Sequence, residues 1–304
     1  MIAIWGEGSA GSRYKSIIEN LGFEVILLKR NKEKEPFNFK NLDISKINAA
    51  VICTPTIFHS EQSIKFLEVG IPVLCEKPIA HTYNEGLSII KTALSMNTKF
   101  HVGYNQRFIP AYELFKEKKW GNPLVSKSVW AEKVSEWQPE NDYKESYAVR
   151  KELGGGVPLT LSHDFDWWTG LFGDFEVLEV NSSNNGSLNI SIDTNFDVVL
   201  EGEIKCFINL NYEIDGPPVR YYETEYEKGI LRYEPLIGSL KFFWNNGEVD
   251  PYSIEQEWSK TRMETFKNTF LNFMDDTRSP SELTEWELGL SALKLASIVD
   301  NWNE

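Results

Sequence analysis

Met1-Ile2-Ala3-Ile4-Trp5-Gly6-Glu7-Gly8-Ser9-Ala10-Gly11 is the stretch whose reading decides the fold. An apolar run enters G-x-G-x-x-G at once, and a helical stretch follows to Asn20-Leu21, with Gly22 placed to end it. Between a strand and a helix such glycines permit a tight turn, close approach of backbone to a pyrophosphate, and packing of helix on strand. The helix N-terminus adds attraction for phosphate charge. Gly6, Gly8, Ser9, Ala10 and Gly11 are therefore expected at a dinucleotide, with Glu7 turned to solvent, since a carboxylate there would repel it.

Strand and helix go on alternating. Strands are read at Phe23–Leu28, Ala49–Cys53, Ile71–Leu74 and Lys99–Gly103, with helices after the third and at Thr82–Met96. The spacing predicts a doubly wound parallel sheet whose strand ends share one rim. That rim carries Thr54-Pro55 and His59, Glu76-Lys77, and Tyr104-Asn105-Gln106-Arg107. Lys77, at the edge of a buried strand, points into the crevice where open α/β sheets bind ligands. The second strand ends in Lys29-Arg30-Asn31, where NAD-specific folds usually carry an acid for the ribose 2′-hydroxyl. Two bases there suit a 2′-phosphate, so the expected cofactor is NADP, with NAD possible and Arg30 the 2′-phosphate contact.

Past the helix at Pro110–Lys119 the pattern changes at Trp120-Gly121-Asn122-Pro123, and the boundary is placed there: a Rossmann domain over 1–120 and a substrate and oligomerisation domain over 121–304. The second part reads as a largely antiparallel open sheet flanked by helices. Strands are expected at 125–134, 175–180, 188–192, 204–212, 219–225, 230–233 and 240–244. Its open face is the expected homo-oligomer surface, for a dimer or tetramer. Helices close the chain, with Phe266, Phe270, Phe273 and Met274 on one apolar side and a capping box at Thr284/Glu287 before Leu288, Ala292, Leu295, Val299 and Trp302.

The formal charge of −14 argues against nucleic-acid binding, which requires basic patches. Cys53, Cys75 and Cys206 lack the spacing of a metal site or disulfide framework, and no metal is expected. No apolar run nears the ~20 residues of a membrane span. The N-terminus has no basic leader before its first strand, so the expected location is the cytoplasm.

Gly154-Gly155-Gly156-Val157-Pro158-Leu159-Thr160-Leu161-Ser162-His163-Asp164-Phe165-Asp166 lies between the two regular regions. The glycines free the backbone to approach a ligand, and His163 opens a helix among acids. An imidazole there suits a general base, because its pKa sits near neutrality and carboxylates can orient the ring. Asp166 at i+3 shares its helical face, while Asp164 at i+1 is turned away.

GEGSAG at Gly6, C-T-P-T-x-x-H at Cys53, C-E-K-P at Cys75, G-Y-N-x-R-F at Gly103 and GGGVPLTLSHDFD at Gly154, in that order, resemble the Gfo/Idh/MocA family of NAD(P)-dependent oxidoreductases. The stretch Asp142–Arg150 further resembles a branch associated with nucleotide-sugar and nonulosonic (sialic-acid-like) sugar pathways. The resemblance implies hydride transfer between nicotinamide and a hydroxyl-bearing carbon of a sugar, with Lys77 and His163 as catalytic groups. It also implies an acid at position 160, where this chain has Thr160; Asp166 is the expected substitute. Tyr104, Asn105, Arg107, Tyr147, Arg150 and Thr160 are the residues expected to grip substrate. Two alternatives stand beside this reading: an NAD(P)-dependent glycoside hydrolase without net redox change, and a cofactor-binding sensor without activity.

Overall fold

The computed structural model describes residues 1–28, 42–253, 258–275 and 277–302. Lys29, Arg30 and the charged loop after them lie outside the described residues, so the expectation of a 2′-phosphate contact has no structural counterpart. The chain divides into two compact units: Met1–Asn105 with Met263–Leu293, and Gln106–Arg262 with Lys294–Glu304.

The first unit contains β1 (Ile2–Trp5), α1 (Ser9–Asn20), β2 (Val25–Leu28), β3 (Ala49–Ile52), α2 (His59–Glu68), β4 (Val73–Cys75), α3 (Tyr83–Ser95) and β5 (Phe100–Val102). Its sheet is wholly parallel, in the order β2-β1-β3-β4-β5. β1, β3 and β4 are buried along their whole length, which is why they read as continuous apolar runs. Thr82 and Glu85 cap α3 reciprocally, fixing where that helix starts.

The second unit contains α4 (Pro110–Phe115), β6 (Pro123–Ala131), α5 (Val157–Thr160), α6 (His163–Phe172), β7 (Glu176–Ser183), β8 (Asn195–Glu201), β9 (Lys205–Asn211), β10 (Val219–Tyr226), β11 (Gly229–Glu234), β12 (Ser239–Trp244) and β13 (Val249–Ser253). Its sheet has the order β13-β12-β11-β10-β6-β9-β8-β7, antiparallel except for the β6–β9 pair. Ser126, Ser128, Thr224 and Tyr222 belong to the inward face, and Ser126 and Thr224 share a buried hydroxyl bond of 2.9 Å. Trp167 of α6 stacks on Tyr222 with ring centroids 4.2 Å apart, and Trp168 Nε1 donates to Ser128 Oγ at 3.1 Å. Aromatic stacking and a polar pin together hold this helix against the sheet.

Two helices follow, α7 (Trp258–Asp275) and α8 (Leu290–Asp300). The division differs from a single cut at residue 120, because residues 263–293 return to the first unit. Phe266, Phe270 and Phe273 pack there among Ile2, Ile4, Tyr14, Ile18 and Leu74, with Phe266 edge-on to Tyr14 at 5.0 Å. Apolar periodicity shows that a helix has a buried face but not what covers it. The strand expected at 188–192 is also corrected: Leu188 and Ile192 are buried, yet the segment between β7 and β8 is a stapled loop. Asn184 Nδ2 donates to the carbonyls of Ile190 and Ile192 at 2.9 and 2.7 Å, which satisfies backbone that a strand would pair elsewhere. β8 and β13 were not anticipated. Thr284 and Glu287 do bond reciprocally, but the helix proper starts at Leu290, and Trp302 is 41% exposed rather than on the buried face.

Phe270→Ala should lower stability by about 3–5 kcal/mol, the usual cost of emptying a fully buried phenylalanine site. A urea titration followed by tryptophan fluorescence checks it.

Candidate active site

In the first unit the strand order reverses between β1 and β3, the switch point at which open α/β sheets take their ligands. Gly6 follows β1 with φ +113°, and a Cβ there would stand 2.4 Å from the Cys53 carbonyl oxygen. A Cβ on Gly11 would stand 2.0 Å from the Gly6 carbonyl oxygen. Only glycine fits at either place. Gly8 has open space around its Cβ position, and α1 starts after it with no side-chain cap and no acid in its first turn. The first N–H groups of the helix are thereby left for an outside anion. Glu7, Gly8 and Ser9 are exposed and Ala10 partly so, leaving the turn open to a ligand. These features fit a dinucleotide pyrophosphate.

The same rim is braced by His59, which is 1% exposed. Its Nδ1 faces the Pro78 carbonyl and its Nε2 the Thr54 carbonyl, each at 2.8 Å, so the ring ties the end of β3 to the segment after β4. Burial holds its pKa below the usual histidine value, against the pull of those two carbonyls. His59 was expected against the cofactor; its ring nitrogens are instead committed to backbone. Thr54 Oγ1 donates to Gln62 Oε1 at 2.6 Å, and Pro55 precedes the turn into α2. Lys77 lies two residues past β4 and is partly exposed, joined to Pro78 by a cis peptide bond. Glu76 beside it is buried; desolvation raises its carboxyl above the ordinary range, with the Lys77 charge opposing.

Tyr104 departs from expectation. It is 1% exposed, and Gly289, at φ +74°, makes room for its ring, since a Cβ there would come within 2.7 Å of it. A ring packed in the core is not placed to grip substrate. Asn105 is buried as well.

In the second unit, Gly154 and Gly156 have φ of +77° and +120°, and a Cβ on Gly155 would lie 1.8 Å from the Tyr147 carbonyl oxygen. Gly155 is needed because the strap carrying Tyr147 runs directly against this loop, and Gly154 and Gly156 for their positive φ. Gly155 N–H donates to the Arg150 carbonyl at 3.1 Å and Gly156 N–H to that of Ala148 at 2.9 Å. Thr160, 5% exposed, lies beside the Tyr212 hydroxyl, so position 160 is a buried neutral contact. His163 opens α6, 7% exposed, with its ring near-parallel to Trp130 at 6.1 Å between centroids.

The acids of α6 serve different partners. Asp166 takes both arms of Arg107, Nε donating to Oδ2 at 3.0 Å and Nη2 to Oδ1, so the two residues expected to act on imidazole and substrate hold one another. Burial pushes its carboxyl up to about 6, against the Arg107 charge. Asp164 is fully buried and also raised to about 6 by burial, with Arg220, Ser128 and Tyr222 pulling the other way. The Tyr222 hydroxyl lies 2.8 Å from Gln106 Oε1 and 3.3 Å from Asp164 Oδ2, and accepts from Arg220 Nη2 at 3.3 Å. Arg220 itself lies 3.6 Å over the Trp130 ring. Ser128, Trp130, Arg220 and Tyr222 were missed in the sequence, and Gln106 was placed on the rim without a role. The available signal was parity: Arg220 shares the inward register of Tyr222, Thr224 and Tyr226, where a charge needs a partner.

A switch-point glycine turn, an uncapped helix N-terminus and a lysine on the same sheet edge define the class of dinucleotide-binding Rossmann proteins. Residues 11–104 match the Gfo/Idh/MocA oxidoreductase family, NAD-binding Rossmann fold. It is 21% identical over 311 residues to a 4-carboxy-2-hydroxymuconate-6-semialdehyde dehydrogenase of Sphingobium, covering 92% of each chain. A levoglucosan dehydrogenase of Pseudarthrobacter phenanthrenivorans is 27% identical over 143 residues, 45% of this chain and 36% of its own. Among solved structures, biliverdin reductase of Synechocystis with biliverdin and NADP+ superposes with a TM-score of 0.76 at 14% identity, over 98% of this chain and 97% of that one. The protein is an NAD(P)-dependent dehydrogenase or reductase. No helix among the described residues is long and apolar enough to cross a membrane.

Gly8→Ala should leave stability within about 0.5 kcal/mol of wild type while weakening NADH binding, whereas Gly6→Ala should cost at least about 2 kcal/mol as well. Thermal melts and NADH fluorescence titration on both variants test this. A second expectation concerns Arg107→Met, which strands the buried Asp166 charge and should cost about 3–5 kcal/mol near pH 8. The folded carboxyl already titrates at about 6, above the ordinary 3.8, so its cost applies above the folded pKa and is relieved as pH falls through it. Without Arg107 the folded pKa rises further. The deficit should therefore shrink toward about pH 5 in urea titrations, and a pH-independent deficit would count against a buried Asp166 charge.

Proposed function

We propose that this enzyme transfers hydride between the nicotinamide of NADP and a carbinol carbon of a sugar or sugar derivative. The observation that carries the reading is the sheet edge of the first unit. A turn with no room for a Cβ at Gly6 or Gly11 and a partly exposed lysine stand at the ends of β1 and β4 in one parallel sheet. Gly6, Gly8, Ser9, Ala10 and Gly11 would hold the pyrophosphate, with Thr54, Pro55 and Glu76 along the rim and His59 bracing it. The cofactor, when bound, supplies the hydride acceptor or donor. Lys77 would donate a hydrogen bond to the oxygen that becomes an alkoxide, and His163 would take its proton. Trp130 sets the plane of that imidazole by stacking. Asp166, through Arg107, keeps α6 in place and so acts as a positioning residue.

The sugar substrate follows from the levoglucosan dehydrogenase likeness and from the sequence resemblance. The choice of NADP follows from Lys29-Arg30 in the sequence. Phe207, Val219 and Phe243 are partly exposed on the outer face of the eight-stranded sheet and support self-association there. A cytoplasmic location is part of the same reading.

Lys77→Ala should retain NADPH binding but lower turnover at least about 10²-fold on whichever sugar is oxidised. Screening a sugar panel for NADP+ reduction identifies that substrate. Near-normal turnover in the variant removes Lys77 from the chemistry. Fluorescence titration should show NADPH bound more tightly than NADH, and the reverse order would remove the role given to Arg30.

A further inference from the structure

A cleft of about 580 Å³ opens in the second unit between the strap at 144–152 and the loop at 189–192. That volume falls within the range of small-molecule sites. Its walls carry Lys144, Arg150 and Lys151 against Glu145 and Glu152. Lys151 is paired with Asp300 at 3.6 Å, so Lys144 and Arg150 are the cations these walls offer a ligand. Both acids are already engaged: Arg150 Nε donates to Glu152 at 2.7 Å and Nη1 to Glu145 at 3.2 Å. A guanidinium has five N–H groups, and the others of Arg150 have no acceptor among the described residues. Nor does the exposed Lys144 ammonium pair with a carboxylate among them.

The opposite wall is built in advance. Glu213, 8% exposed, accepts from Ser187 Oγ, from Leu188 N–H at 3.0 Å and from Thr194 Oγ1 at 2.5 Å. Tyr143 OH donates to the Leu188 carbonyl at 2.7 Å, tying the loop to the strap. Asn189 then lines the cleft from a left-handed backbone, φ +49°, a conformation asparagine tolerates. A wall fixed by a buried carboxylate loses little freedom when a ligand arrives. Gly155 donates to the Arg150 carbonyl, so the glycine loop and the cleft share the same strap.

We infer that this cleft binds the anionic arm, a carboxylate or a phosphate monoester, of a hydroxylated substrate. The inference rests on the oxidoreductase reading above. The free N–H groups of Arg150 and the Lys144 ammonium meet the anion, while the Asn189 amide and Ser191 hydroxyl suit neighbouring hydroxyls.

Calorimetric titration of the full chain with D-glucuronate, D-glucose 6-phosphate, D-glucose and inorganic phosphate tests it. At least one of the two anionic sugars should bind and D-glucose should not. The Lys144→Gln/Arg150→Gln double variant should lose at least about tenfold in that affinity, the effect of removing charge-assisted hydrogen bonds. Arg150→Lys, which keeps the charge, should lose less. Whichever anionic sugar binds names the source of the charge. Inorganic phosphate binding as tightly as either sugar would mean an adventitious ion only and would overturn the inference. So would affinity unchanged in the double variant, or no anionic sugar bound above D-glucose. NADPH titrated into the same samples separates the two levels: NADPH bound without anionic sugar overturns the cleft alone, and neither NADPH nor NADH bound overturns the oxidoreductase reading.

Discussion

The close passage of the Gly6 backbone beneath the carbonyl of Cys53 is the constraint on which the first unit depends. It lets β1 and β3 lie side by side while the chain turns between them into α1, and it leaves the helix N-terminus facing the crevice. Gly11 repeats the constraint one turn into the helix, against the Gly6 carbonyl. With both Cβ positions closed, only glycine lets the backbone take this path. His59 extends the arrangement by joining the ends of β3 and β4 through backbone carbonyls, so Lys77 projects from a braced edge.

The second unit solves a different problem, because it buries charge. Asp164, Asp166, Arg107 and Arg220 are all inward, and each has an opposite charge or a hydroxyl against it. Breaking one member of such a pair is costlier than never having made it, because the remaining charge stays buried. The arrangement therefore specifies the orientation of α6 more sharply than apolar packing would, and α6 carries His163. Trp167 on Tyr222 and Trp168 on Ser128 hold the helix down, while the two acids fix its rotation.

Thr160 illustrates what a buried position demands of its side chain. An acid at that position would be buried beside the Tyr212 hydroxyl; threonine accepts the same neighbour at no electrostatic cost. The buried carboxyls of α6, Asp164 and Asp166, lie where arginines are supplied by β10 and by the segment after β5.

The amino-acid sequence by itself determined the parallel sheet, the glycine turn, the edge position of Lys77 and the helix beginning at His163. Each is local: unbroken apolar runs, a glycine spacing and a capping residue act within a few positions of the chain. What covers the aromatic side of α7, the loop geometry at 184–194, the burial of Tyr104 and the partner of Asp166 were decided only by the tertiary structure. Periodicity reports that a face is buried and is silent about the surface that buries it, so Phe270 could not be assigned to the first unit from its own helix. Leu188 and Ile192 kept a strand-like pattern because burial, not pairing, selects apolar residues there. Asp166 and Arg107 are 59 positions apart, and which charge meets which depends on distances that only folding sets.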